Sequence, residues 1–369
     1  MNPDNQRNGM RFSDKLQYLR YLVARRGMKP VYLILGLTYD CNSFCRTCFN
    51  WEQLRKNKEH ELSLDEIRKT LSTLDDLLFV VMSGGEPFLR RDIADVCEIL
   101  STGNHAKQIT IPTGGVSSDL IARSTREILS RCPETQIVVN LSLDHIGEKH
   151  DWIRGVPGNY ERLRKTYANL IPLKSEFPNF TVNLHSVLCN YNVDDLEFIT
   201  ENVKKDFPEI SFHSFEMLRG DQPDKSIQEI SVDRYREVLP FLESYWSTYR
   251  SYDGFLRFMK VYSRQVELRV REEETQVRPC LAGTISGVLD ARGEVRMCEL
   301  REPVGNVKDS GYDFGSVWFN EEANRQRASI RAKECHCTHS CFMSSSLAFQ
   351  WRTYSSYLAS TVVSFLSAA

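Results

Sequence analysis

The sequence has no excess of either charge, no apolar run of membrane-spanning length and none of the short motifs of the common hydrolases and nucleoside-triphosphate enzymes. Its 47 Lys+Arg and 49 Asp+Glu leave a formal net charge of -2 over 369 residues. A surface built throughout to neutralise phosphates is thereby excluded, and nucleic acid is not an expected partner. A membrane helix needs about 20 apolar residues. The last uncharged stretch, Thr353 to Ala369, has 17 residues, many of them Ser or Thr. Residues 1–10 are polar, with no apolar core and no small-residue cleavage site, so a secretory signal is not expected and a cytoplasmic location is. No G-x-S-x-G or Walker segment is present. With 41% hydrophobic and 26% charged residues, disorder, collagen and coiled coil are also excluded.

Cysteine, in contrast, is plentiful and clustered. Of 11 cysteines, Cys41, Cys45 and Cys48 lie near the start and Cys280, Cys298, Cys335, Cys337 and Cys341 near the end. Cys97, Cys132 and Cys189 are scattered between them. In a reducing compartment, an odd total with tight spacings points to metal binding or thiol chemistry rather than disulfides.

From Val31 onward, short apolar β-branched runs alternate with stretches of helical period, the pattern of βα units on a parallel sheet. Six units are readable. The predicted strands are Val31 to Leu37, Phe79 to Ser83, Gln108 to Pro112, Gln136 to Leu143, Thr181 to Leu188 and Glu209 to Met217. The predicted helices are Ser63 to Leu77, Arg91 to Leu100, Ser118 to Arg131, Asn159 to Leu173, Asn192 to Asp206 and Ser231 to Tyr249. Ser63 with Glu66 forms a capping box at the first of these. The expected fold class is therefore α/β, an open (β/α)6 TIM-like barrel. Its active face lies at the C-terminal ends of the strands and its open side requires closure by another element. After about Glu272 the pattern gives way to short segments, with a hairpin expected from Thr284 to Leu289 and from Glu294 to Cys298. The division this implies is an N-terminal amphipathic helix in residues 1–29, a barrel in 30–271, a small α+β module in 272–345 and an apolar tail in 346–369.

The two ends carry amphipathic patterns. Phe12, Leu16, Leu19 and Val23 share one helical face, with basic residues on the others. Leu347, Trp351, Tyr354, Leu358, Val362 and Phe365 recur every three or four residues. Docking on the protein or on a second copy, and contact with a membrane or lipid substrate, are both compatible with that stripe.

Cys41, Cys45 and Cys48 form C-x3-C-x2-C in the loop after the first strand. Three thiolates from one loop suit three irons of a [4Fe-4S] cluster and leave the fourth iron open; a zinc site is the alternative, though no fourth ligand lies nearby. The segment from Thr38 to Phe49, with its aromatic residue after the last cysteine, resembles the cluster loop of the radical S-adenosylmethionine superfamily. Gly84-Gly85-Glu86-Pro87 resembles that family's GGEP segment, whose backbone binds the methionine amino group. Thr113-Gly114-Gly115 sits where relatives carry Thr-Asn-Gly and departs at its middle position. The resemblance further implies cofactor contacts from Phe49, Thr113, Ser142, Asp144 and Arg154, and more weakly from Asn190 and Leu218. It also implies that one-electron reduction of the bound cofactor yields a 5′-deoxyadenosyl radical that takes hydrogen from an unactivated carbon. A flavodoxin or ferredoxin is the electron donor so implied.

The second group reads C-x12-G-x4-C through Cys280, Gly293 and Cys298, continues through Gly305-Asn306-Val307 and Ser316-Val317-Trp318, and ends in Cys335-His336-Cys337 and Cys341. This resembles the SPASM or shorter twitch extension of radical enzymes, which holds auxiliary iron-sulfur clusters. Five cysteines imply one auxiliary [4Fe-4S] cluster rather than two, drawn from Cys280, Cys298, Cys335, Cys337 and Cys341. Which four ligate stays open, and a zinc knuckle is the alternative. An auxiliary cluster able to take the electron left on a substrate radical implies net oxidation, and epimerisation, in which a hydrogen atom is returned to the carbon, is the other expected outcome. The substrate expected first is a carbohydrate, cyclitol or other small molecule, and a ribosomal peptide next. Cys189, just after the fifth strand, is a candidate hydrogen-atom donor, set against a plain core role.

Overall fold

The computed structural model describes residues 22, 27–54, 60–249 and 254–368, with residues 361–368 described by backbone alone. The predicted N-terminal face of Phe12, Leu16, Leu19 and Val23 lies outside the described residues. Six strands run parallel and neighbour one another in chain order: Tyr32–Thr38 (β1), Phe79–Gly84 (β2), Gln108–Thr113 (β3), Gln136–Ser142 (β4), Phe180–Leu188 (β5) and His213–Met217 (β6). Parallel neighbours require long crossovers. These contain Leu64–Leu71 (α1), Ile93–Thr102 (α2), Ser118–Arg131 (α3), Gly147–Arg154 (α4), Asn159–Leu170 (α5) and Leu196–Asp206 (α6). The sheet is not closed into a barrel, because β6 remains an edge and does not meet β1.

Strand alternation separates the two faces. Leu33, Leu35, Leu37, Ile109, Ile111, Val139, Leu141, Val182 and Leu184 are buried in one core with Ile67, Leu100, Ile128 and Leu163 of the helices. Fully burying one such side chain contributes about 1.5–3 kcal/mol, and a one-residue register slip would turn the whole set to the other face. That other, concave face carries Gln136, Asn140, Asn183, His185, Ser214 and Glu216, all half-buried.

Two helical readings differ from the structure. The capping box forms, with Ser63 accepting from the Glu66 amide and Glu66 from the Ser63 amide. The helix nevertheless ends at Leu71 instead of Leu77, where the Ser72 and Thr73 hydroxyls turn back to the carbonyls of Lys69 and Thr70. After Val232–Trp246 (α7) comes a helix that the sequence pattern does not show, Gly254–Glu273 (α8). Its buried positions include Ser263, Arg264 and Glu267, so its inward face is polar and breaks the apolar period.

The C-terminal hairpin belongs to the barrel's own sheet. Ser286–Leu289 (β7) pairs parallel with β1, in register from Tyr32 opposite Ser286 to Leu35 opposite Leu289. Glu294–Arg296 (β8) and Gly305–Asn306 (β9) then extend the sheet antiparallel to nine strands. Trp318 plugs this end. It is fully buried, donates to the Met28 carbonyl and packs so closely that a Cβ on Gly287 would lie 2.5 Å from its ring. Helices Glu321–Arg331 (α9), Ser340–Ala348 (α10) and Trp351–Ala368 (α11) complete the chain, with α8 packed on α10. The apolar stripe of the tail divides between two environments. Leu347 is buried beside Val266 and Val270, and Tyr354 stacks on Phe255, whereas Trp351 and Leu358 are 67% and 64% exposed. Among the described residues no helix is long and apolar enough to cross a membrane.

Candidate active site

The cysteine loop leaves the C-terminal end of β1 and is strapped to the end of α4. Phe44 donates its amide to the Arg154 carbonyl at 3.1 Å and Arg46 to that of Ile153 at 2.8 Å. Gly155, at φ +64°, makes this approach possible, since a Cβ there would lie 2.4 Å from the Phe44 carbonyl oxygen. Cys41, Cys45 and Cys48 consequently line one cavity of about 500 Å3 with Arg46, Trp51 and Asp224. Burial pushes the Cys41 thiol up to about 11 and Cys45 to about 12, and Cys48 rises for the same reason. Such thiols ionise when a metal takes the place of the proton. Among the described residues no three His, Cys, Asp or Glu side chains stand close enough to hold a single metal ion. A cluster demands a wider spacing, because each thiolate meets its own iron.

The Gly-Gly-Glu-Pro turn abuts this loop. The Gly85 amide donates to the Thr38 carbonyl and the Glu86 amide to that of Asp40, both at 2.7 Å. A Cβ on Gly85 would lie 2.0 Å from the Asp40 carbonyl oxygen and 3.0 Å from Cys41 Cβ. The Glu86 carboxylate is buried and faces the protein. It accepts from the Thr113 hydroxyl at 2.8 Å, from the Gly114 amide at 2.9 Å and from the Phe88 amide at 3.2 Å. Glu86 and Thr113 thus lock the ends of β2 and β3 together, with Pro87 buried beside them. Arg154 faces the same space. Its Nη2 is 3.3 Å from where a Gly114 Cβ would stand, and its Nε, like Ser43 Oγ, is buried without a partner.

The remaining predicted residues separate into two groups. Ser142 ends β4 on the concave face, directly opposite His185 of β5. Phe49 stacks under the Arg219 guanidinium, 4.7 Å from ring centroid to Cζ. Asp144, however, is buried, with one oxygen accepting from the Val187 amide and the other from Arg154. Asn190 is exposed and bonded to Ser226 and Gln228 of a neighbouring loop. Leu218 and Cys189 are buried with Ile227 in a small apolar cluster, with Val187 and Tyr191 packed against it. Cys189 follows directly on β5, which ends at Leu188, and there the chain turns, with the Cys189 amide donating to Asn192 Oδ1.

A charged group on the concave face was not anticipated. His185 Nδ1 is 2.9 Å from Ser214 Oγ, and its Nε2 is 4.0 Å from Glu216. Arg219 bonds Glu216 at 3.2 Å and approaches Glu299 at 3.9 Å, and His339 bonds Glu299. Burial opposes the Glu216 charge, but His185 and Arg219 outweigh it and hold the carboxyl well below its usual range. The alternation of His, Ser and Glu at 185, 214 and 216 was the available sequence signal. What hid it was Glu299 and His339, which arrive from another part of the chain.

Fold and site together define an open-barrel enzyme with a three-thiol loop at the C-terminal rim of its strands. Residues 35–202 match the family model described as Radical SAM superfamily, a span that holds both the cysteine loop and the Gly-Gly-Glu-Pro turn. The chain is 24% identical over 319 residues to the AdoMet-dependent heme synthase of Oleidesulfovibrio alaskensis, covering 82% of this chain and 78% of that protein. To the AdoMet-dependent heme synthase of Nitratidesulfovibrio vulgaris it is 26% identical over 311 residues, 79% of each chain. Among solved structures, Streptococcus suis SuiB bound to S-adenosylmethionine superposes with a TM-score of 0.60 at 16% identity, covering 81% of this chain and 68% of that one. The anSMEcpe structure with bound AdoMet gives 0.57 at 16% identity, covering 80% and 82%.

Proposed function

We propose that this radical enzyme removes a hydrogen atom from a hydroxyl- or amine-bearing small molecule of the carbohydrate or cyclitol type, with net oxidation or epimerisation at that carbon. When bound to S-adenosylmethionine and reduced by one electron, a [4Fe-4S] cluster supplies a 5′-deoxyadenosyl radical. Cys41, Cys45 and Cys48 would hold that cluster. The backbone at Gly84 and Gly85, the ring of Phe49, the Ser142 hydroxyl and the unpartnered Arg154 Nε are the groups disposed to hold the cofactor. Glu86, Thr113 and Asp144 act one step back, by fixing the strand ends on which those groups stand. Phe44, 72% exposed within the loop, supports docking of a flavodoxin or ferredoxin there. That all 11 cysteines are unpaired supports a cytoplasmic setting.

The observation that carries the substrate class is the concave face. Gln136, Asn140, Asn183, His185, Ser214 and Glu216 present amides, an imidazole, a hydroxyl and a carboxylate, and Asn183 Oδ1 is buried with no donor. An acceptor in that state favours a ligand bringing O–H or N–H groups. The relatives named heme synthases, which match about four fifths of the chain, favour a second reading in which the substrate is a tetrapyrrole. That substrate asks for broad apolar walls. A ribosomal peptide is the third class, and the SuiB structure bound to precursor peptide SuiA shares the fold.

The experiment is anaerobic incubation of the iron-loaded protein with S-adenosylmethionine and dithionite. 5′-Deoxyadenosine is the expected product, and the Cys41→Ala/Cys45→Ala/Cys48→Ala variant should form none. Turnover retained by that variant would refute the reading. Deuterated sugars, tetrapyrroles and peptides offered in turn identify the class by which one transfers deuterium to 5′-deoxyadenosine.

A further inference from the structure

The cavity that holds the cysteine loop has a further wall, supplied by the segment between β6 and α7. Pro223, Asp224 and Lys225 line the same space of about 500 Å3 as Cys41, Cys45 and Cys48. The base of this segment is fixed to the chain just after β5. The Asn190 amide donates to the Gln228 carbonyl at 3.2 Å, its Oδ1 accepts from the Gln228 amide at 2.9 Å, and its Nδ2 donates to the Ser226 carbonyl at 3.2 Å. The tip is braced within itself. Gln222 Nε2 donates to the Arg219 and Gly220 carbonyls, and Lys225 Nζ donates to Asp221 at 2.6 Å. Gly220, at φ +72°, lets the tip lie against the cysteine loop, since a Cβ there would stand 2.9 Å from Phe49 Cβ.

Arg46 bridges the tip and the cysteine loop. Placed between Cys45 and Cys48, it donates from Nη1 to Asp224 Oδ2 at 2.8 Å and from Nε to the Trp152 carbonyl at 3.2 Å, with its guanidinium 4.1 Å from the centre of the Trp152 ring. The Tyr191 hydroxyl donates to the same Asp224 oxygen at 2.9 Å, and the Tyr191 and Trp152 rings meet edge to face with centroids 4.8 Å apart. The Arg46 and Asp224 side chains are 37% and 14% exposed, so water and salt compete for this tie. The base, in contrast, is held by three bonds to one residue, which must break together.

We propose that residues 220–225 are a latch over the cysteine cavity, hinged where Asn190 holds residues 226–228 and kept shut by Arg46 and Asp224 as a positioning pair, so that access to the three thiols follows the opening of that pair. What the latch admits rests on the radical-enzyme reading above, which makes it S-adenosylmethionine. The latch itself belongs to the unloaded chain and is tested there.

The test is labelling of the reduced, metal-free full chain with N-ethylmaleimide, each cysteine being followed by peptide mass spectrometry. Asp224→Asn and Arg46→Gln should each label Cys45 and Cys48 roughly fivefold faster than the parent, the factor that loss of a partly exposed ion pair allows. Both act through one contact, so Arg46→Gln/Asp224→Asn should be no faster than either single variant. Trypsin cleavage after Lys225 should rise by the same factor. Cys97 and Cys132, both 0% exposed, should stay unlabelled and report an intact fold in every protein. Tyr191→Phe, which removes a single hydroxyl from Asp224, is the milder variant and should give a smaller rise in the same direction. In the iron-loaded parent, saturating S-adenosylmethionine should slow cleavage after Lys225. Parent rates of labelling and cleavage in the folded variants overturn the latch, as does a double variant whose rate is the product of the two single effects. Faster labelling in the variants with no response to S-adenosylmethionine in the iron-loaded protein upholds the latch and refutes the reading of what it admits.

Discussion

Gly85 has no room for a methyl group. Its missing Cβ would press on the Asp40 carbonyl and on Cys41, so the side-chain-free backbone sets the distance between the cysteine loop and the turn after β2. Overpacking costs about 1–3 kcal/mol where the surroundings must shift. Here the part that shifts is the loop proposed to hold the reactive cluster, and displacements of about 1 Å can reduce rates by about 100-fold. Gly85→Ala is expected to keep its iron and lose at least roughly tenfold in 5′-deoxyadenosine formation. Iron content and product release, measured on one preparation, decide the matter; full iron with wild-type turnover would contradict it. The Glu86 carboxylate accepts from the Thr113 hydroxyl and from the Gly114 and Phe88 amides, which ties the ends of β2 and β3 together beside the glycines.

Among the elements, α8 is the least conventional. Arg264 and Glu267 are 4% and 0% exposed, with Arg264 Nη1 donating to both Glu267 oxygens at 2.7 Å and the Tyr235 hydroxyl donating to Glu267 Oε2 at 3.1 Å. This triad fixes α8 against α7, so that α8 closes the side of the arc left open beyond β6. Removing one member strands a buried charge. Glu267→Ala is expected to lower unfolding stability by about 3–5 kcal/mol, while Arg264→Met/Glu267→Leu, which removes both charges, should stay within about 1 kcal/mol of the parent. Urea unfolding of the three proteins reads this directly, and equal losses in the single and double variants would show that packing, not the stranded charge, governs the site.

At the scale of the whole molecule, the C-terminal quarter covers one edge of the open barrel's parallel strands as well as extending the sheet. β7 covers the edge of β1, Trp318 packs on Gly287, and the hairpin tip reaches the cysteine loop itself, with the Tyr39 hydroxyl donating to Asp290 at 3.0 Å and Leu62 donating to the Ala291 carbonyl at 2.7 Å. Residues 1–273 alone would present the β1 edge and an uncovered apolar face, a template for aggregation. That fragment is therefore expected to be insoluble or to elute as large species in size-exclusion chromatography. A soluble, folded monomer would mean that the two parts are independent.

The six parallel strands, the capping box at Ser63 and the two cysteine groups were legible in the sequence because each depends on side chains a few residues apart, where period and spacing are fixed by local geometry. Tertiary structure decided what depends on distant segments meeting. The parallel pairing of β7 with β1 joins residues about 250 positions apart. The polar inner face of α8 is stable only where Tyr235 and Glu216 are already placed beside it. Spacing alone does not show that the Gln276 side chain ties the Cys335 carbonyl to the Cys280 amide. Local patterns specify elements and their chemistry, whereas burial and charge pairing between elements determine which of those groups share a site.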